Sequence, residues 1–226
     1  MPDAAALTEA SRRKMVALVV LVAVYATGYL SLNRIVVVSP RIYDVRLPLD
    51  EAVPFVPALL LTYGLAYLMV AAVALMLRHP DETDRAIVAF GLMSVLQLLC
   101  FALIPVRMED RPLLVPRGDF LNDVGAFWFW LAPPTNLFPS AHASMSMLAA
   151  VVALRHHPLT GRIMVGLALF VAVSVALVKQ HYVADVLVGL CLAPAVDVFS
   201  GMLLKQWRRA DRPSLSTRLV QALTRR

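Results

Sequence analysis

The sequence predicts an all-α, polytopic membrane protein with six transmembrane helices in one bundle, and two observations lead there. Of its 226 residues 60% are hydrophobic and only 16% charged, and the mean hydropathy is +0.73, whereas a soluble domain is roughly half apolar. The apolar residues also come in runs, and a helix that crosses a bilayer core needs ~20 of them in succession.

The first run, Met15–Leu32, follows Arg12, Arg13 and Lys14. It is long and no clean small-residue cleavage pattern follows, so it reads as a retained anchor rather than a signal peptide. Val53–Leu77 and Ala86–Val106 give the second and third spans, and Ser140–Leu154, Ile163–Val178 and Tyr182–Leu204 complete the six. The connecting stretches are too short for a second domain. The expected organisation is a cytoplasmic N-terminus over 1–14, a membrane domain over 15–204 and a basic cytoplasmic tail over 205–226. That tail interleaves Arg208, Arg209, Arg212 and Arg218 with Trp207, Leu215, Leu219, Val220 and Leu223, a pattern suited to an anionic leaflet, although Pro213 interrupts any continuous helix. Cys100 and Cys191 lie inside apolar runs, where cysteine behaves as a small hydrophobe and implies no disulfide framework.

The formal net charge of +6 does not point to nucleic acid, because the basic residues flank apolar runs instead of forming a basic and aromatic surface. With six spans, fourteen Lys and Arg fall on the side of the termini and seven on the other. The seven are Arg34, Arg41, Arg46, Arg107, Arg111, Arg117 and Lys179, offset by Asp44, Asp50, Glu51, Glu109, Asp110, Asp119, Asp123 and Asp185. The positive-inside rule then makes both termini cytoplasmic. The expected setting is a bacterial inner membrane.

Two polar islands interrupt the apolar runs on the outward side. One reads Phe138-Pro139-Ser140-Ala141-His142-Ala143-Ser144, where Pro139 suits a helix start whose free N–H groups would welcome an anion. The other reads Lys179-Gln180-His181-Tyr182-Val183-Ala184-Asp185, and four-residue spacing brings His181 and Asp185 onto one helical face. A carboxylate that holds one imidazole nitrogen leaves the other unprotonated and aimed, the state a histidine nucleophile needs. His142 is a second proton carrier. Taken singly, each residue reads as an interhelical contact or a small packing residue. Two histidines, an aspartate, a lysine and a serine converging on one face are expensive at a bilayer edge without a function.

Other polar residues fit structural roles. His79, His156 and His157 fall in basic loops on the opposite side. Asp197 is twelve residues past Asp185, roughly 18 Å along a helix, and reads as an interhelical contact. Phe127, Trp128, Phe129 and Trp130 suit interfacial anchoring, or the wall of a lipid groove.

The islands resemble the signatures of the type 2 phosphatidic acid phosphatase superfamily. Pro139, Ser140 and His142 match its Pro-Ser-Gly-His signature, and His181 and Asp185 match a third signature that opens with a serine, here Ser174. Three positions depart: Ala141 replaces the glycine, Val175 replaces the usual arginine, and Ile104 stands where a lysine would precede Arg111-Pro112. The sequence Lys179-Gln180-His181-Tyr182, the missing arginine and the segment from Leu49-Asp50 to Pro54-Phe55-Val56-Pro57 are similar to the inositol phosphorylceramide synthase-like branch.

The resemblance implies that His181 forms a phosphohistidine, Asp185 orients it and His142 protonates the departing alcohol. It further implies that Ser140 and Ala141 at the helix start, with Lys179, Arg111 and Arg107, bind phosphate oxygens. No cofactor or metal is required by this scheme, with a zinc site on His142, His181 and Asp185 as the weaker alternative. Hydrolysis of a lipid phosphate at the outer face leads. Transfer to an alcohol acceptor and a non-catalytic lipid carrier or transporter remain as rivals.

Overall fold

The computed structural model of the chain describes residues 4–209, and among them the architecture is all α. Helix α1 (Ala4–Val37) packs against α4. Only 6% of its membrane-crossing window is buried in protein, so side chains such as Val19, Val22 and Leu30 face outward.

The second apolar run is not one continuous helix. It divides into α2 (Pro48–Ala52), a 3-10 helix (Pro57–Thr62) and α3 (Leu65–Met76). Proline disfavours helical backbone in the residue before it, and Val53 and Val56, which precede Pro54 and Pro57, are both extended.

Helix α4 (Pro80–Leu103) begins before its apolar residues do. Pro80 opens it, and Glu82 reaches back to the His79 N–H at 3.5 Å, so charged residues form the first turn of a span. Helix α5 (Phe120–Leu131) is started by Asp119, whose side chain accepts from the Asn122 N–H at 3.1 Å. The remaining helices are α6 (Ala141–His156), α7 (Pro158–Leu177) and α8 (Val183–Arg209).

Among the described residues the expectation of six spans is corrected to five. Lys14–Val36, Pro57–Met76, Asp81–Leu103, Pro158–Leu177 and Val183–Arg208 are long and apolar enough to cross a membrane. The predicted fourth span, Ser140–Leu154, becomes α6, whose 16 residues rise about 24 Å against a hydrocarbon core of ~30 Å. Its surroundings explain why a polar helix survives here. Helices α3, α4, α7 and α8 all contact it, and Ala143, Ser144, Ser146, Leu148, Ala149 and Ala150 are fully buried. The small and hydroxyl side chains of α6 therefore serve interhelical packing, not contact with lipid.

Contacts define the two ends of the bundle. Lys14 donates to the Leu77 carbonyl at 3.0 Å, His156 pairs with Glu82 at 2.9 Å, and Arg208 pairs with Asp81 at 2.7 Å. Asp197, fully buried in α8, pairs with Arg155 and lies 3.5 Å from Arg85. These groups gather the start of α1, the ends of α3, α6 and α8, and the start of α4. At the other end the Ser140 N–H donates to the Asp185 carbonyl at 3.0 Å, joining the starts of α6 and α8. The tail beyond residue 209 lies outside the described residues.

Candidate active site

Both polar islands lie at that second end, and the backbone brings them together. Ser140 is the N-cap of α6, with its Oγ accepting from the Ala143 N–H at 3.3 Å. His142 thus stands in the first turn of α6. Glycine at 189 lets α8 pass close by, since a Cβ added there would lie 2.8 Å from the Ser140 carbonyl oxygen.

His181 is carried by the turn between α7 and α8. The Gln180 and His181 N–H groups both donate to the Val175 carbonyl, at 3.0 and 3.2 Å, and Lys179 bends the chain with a φ of 54°. Val175 supports this turn through its backbone.

The two imidazoles meet. His142 Nδ1 is 3.4 Å from His181 Nε2, and His181 Nδ1 is 3.6 Å from Asp185 Oδ2. That oxygen also accepts from the Tyr182 N–H at 2.9 Å. His142, His181 and Asp185 are 8%, 5% and 0% exposed, so the centre is enclosed by protein. Among the described residues no group of three or more His, Cys, Asp or Glu has an arrangement that would hold a metal ion.

The basic residues are arranged unequally around this centre. Arg111 donates from Nη1 to the Ala132 carbonyl at 2.7 Å, and its guanidinium lies 4.0 Å from the Phe129 ring centre. Its Nε and Nη2 are buried with no hydrogen-bond partner among the described residues. Burial lowers the Arg111 pKa to about 10, against the opposing influence of the Tyr63 and Tyr29 hydroxyls, so it stays a cation at neutral pH. Lys179 Nζ donates to the Asp50 carbonyl at 3.1 Å. Arg107 forms a β-bridge with Thr135, on the chain leading to the cis Phe138-Pro139 bond. Ala141 is the first residue of α6, where helical N–H groups have no partner within the helix.

The structure brings further residues to the site. The Tyr63 ring lies 4.2 Å from that of His142 and 4.8 Å from that of Trp128, and Tyr67 meets His142 edge-on at 5.9 Å. The residues Tyr63 and Tyr67 sit four apart, so helical spacing was the available signal. Trp128 has a place beside the site as well as in an aromatic run. Gln97, fully buried in α4, donates to Ser144 Oγ. Asp50, 5% exposed, reaches the start of α8, a contact that no local spacing announces.

Fold and site together define a membrane-embedded α-bundle with an enclosed pair of histidines and a carboxylate at one end. The PAP2 superfamily description matches residues 44–198, and the chain belongs to that superfamily, the type 2 phosphatidic acid phosphatases, with its membrane-associated hydrolytic and phosphotransfer chemistry. No curated protein and no solved structure matches the chain.

Proposed function

We propose that the protein hydrolyses a phosphomonoester or diphosphate of a lipid through a phosphohistidine on His181. The observation that carries this reading is the facing pair, His142 Nδ1 to His181 Nε2 at 3.4 Å, with Asp185 behind the other nitrogen of His181. A proton on His181 Nδ1 directed at Asp185 leaves Nε2 with its lone pair free, which is the nucleophile.

In the first step Nε2 attacks phosphorus as the bond to the lipid oxygen breaks. His142, protonated on both nitrogens beside the phosphate, gives its Nδ1 proton to the departing alcohol. In the second step His142 takes a proton from water, the water oxygen bonds to phosphorus, and the P–N bond breaks to release phosphate. The substrate must part the two imidazoles. Charge on the transferred group is met by Arg111, by the Ala141 end of α6 with Ser140, and by the N–H groups of Lys179 not committed to Asp50, with Arg107 further out.

Orientation follows from charge. The end holding Lys14, Arg85, Arg155 and Arg208 is opposite the histidines, so the positive-inside rule supports a site at the outer face of the membrane.

A second reading is transfer to an alcohol acceptor, as in the inositol phosphorylceramide synthase-like branch, and the sequence Lys179-Gln180-His181-Tyr182 favours it. One experiment separates the two. Purified protein is given a panel of lipid phosphates with and without alcohol acceptors, and free phosphate is read against new phosphodiester. Phosphate release independent of acceptor supports hydrolysis. Product only with acceptor supports transfer, and neither product would sink both.

A further inference from the structure

Asp50 lies outside both polar islands, yet it ties the segment before the second span to the turn that carries His181. Its Oδ1 accepts from the Val183 N–H at 2.8 Å, across 133 positions of sequence. Its Oδ2 accepts from the Leu47 N–H at 2.7 Å. Its carbonyl receives Lys179 Nζ at 3.1 Å. Nearby, the Val56 N–H donates to the Leu177 carbonyl at 2.9 Å.

We propose that Asp50 is a positioning residue for His181, acting through the start of α8. Val183 is the first residue of that helix, and its N–H has no partner within the helix. Tyr182 before it does not serve as a capping acceptor, because its hydroxyl is directed to Asp110 Oδ1 at 3.3 Å. Asp50 supplies the missing acceptor from elsewhere in the chain, and a carboxylate at a helix N-terminus is favourable in itself.

The consequence falls on Asp185, in the same first turn. With Val183 satisfied by Asp50, Asp185 keeps Oδ2 on the Tyr182 N–H and 3.6 Å from His181 Nδ1. Without Asp50 the part-buried Val183 N–H loses its acceptor, and Asp185 is the carboxylate in its own turn that can swing to it. The imidazole then loses its orienting partner.

The proposal rests on His181 being the nucleophile, and the test separates the two claims. Full-length wild type, Asp50→Ala and Asp50→Asn are compared in detergent for turnover of a lipid phosphate and for amide hydrogen exchange. Asn keeps an acceptor for the Val183 N–H. Asp50→Ala is expected to lower kcat by about 10²-fold, the scale of a misplacement of about 1 Å, with KM within about twofold. Asp50→Asn is expected to recover about tenfold of that loss, on the same misplacement scale. Exchange over 179–186 should quicken in the Ala variant while exchange over 143–153 in α6 stays as in wild type.

Full kcat in Asp50→Ala, equal losses in both variants, or quickened exchange throughout α6 would overturn the proposal. If Asp50→Ala does not fold, Asp50→Asn against wild type decides: a fall in kcat at constant KM supports it, and an unchanged kcat overturns it. Wild type that neither turns over a lipid phosphate nor forms a phosphoenzyme sinks the reading of His181, while the exchange pattern still judges the hold of Asp50 on the turn.

Discussion

His142 and His181 face one another through one nitrogen each, 3.4 Å apart, and in the proposed mechanism Asp185 holds the proton on His181 Nδ1 so that Nε2 is free to attack. Three substitutions read this arrangement. His181→Ala removes the proposed nucleophile, and turnover is expected to fall to background. His142→Ala removes the proposed acid, with an expected loss of about 10²- to 10⁴-fold in kcat that is smallest for a lipid phosphate with a good leaving group. Asp185→Asn keeps the shape but not the charge, and a loss of about 10⁴-fold is expected by analogy with a triad aspartate. Steady-state kinetics in detergent on each purified variant checks all three. At this scale the sequence shows His142, His181 and Asp185 because their spacing is local, four residues in one case and a helix start in the other. Asp50 and Tyr63 come to the site through tertiary contact, which local spacing does not announce, and Trp128, read from the sequence as an anchor or a groove wall, joins them there.

The helices set the distances on which this chemistry depends. The starts of α6 and α8 meet at Ser140 N–H to Asp185 carbonyl, 3.0 Å, and only a glycine at 189 permits the approach, with a Cβ there 2.8 Å from the Ser140 carbonyl oxygen. Gly189→Ala must therefore push α8 away from α6 and separate the histidines. A loss of about 10²-fold in kcat is expected from a shift of about 1 Å, while helix content by circular dichroism stays as in wild type. Unchanged kcat would mean that the junction is not tight. Apolar runs locate α1, α4, α7 and α8 well, since a run that faces lipid must be apolar on most of its surface. They misjudge α6, whose neighbours on four helices make its apolar residues a packing signal, and they say nothing of α2 and α5. Those short helices owe their existence to Pro48 and to the Asp119 cap.

Across the described residues, one set of ion pairs lies at the end opposite the histidines. The buried Asp197 with Arg155 and Arg85, the Glu82–His156 pair and the Asp81–Arg208 pair gather at one end, and the histidines at the other. Single cysteines at Ser39 and His79, in a background with Cys100 and Cys191 replaced, should react oppositely with an impermeant maleimide. Intact cells are expected to label position 39 and to leave 79 unlabelled until lysed. Five spans also change how α6 is understood: it is the buried partner against which spanning helices close, and it contributes His142 from its first turn.

The central claim is that His181 carries the phosphoryl group, and trapping it is the most direct measurement. Wild type and His181→Ala are incubated with a lipid phosphate labelled on phosphorus, quenched in alkali, where a phosphohistidine survives, and mapped by mass spectrometry. The account predicts an acid-labile label on His181 in wild type and none in His181→Ala. Label at another residue, or full turnover by His181→Ala, would contradict it.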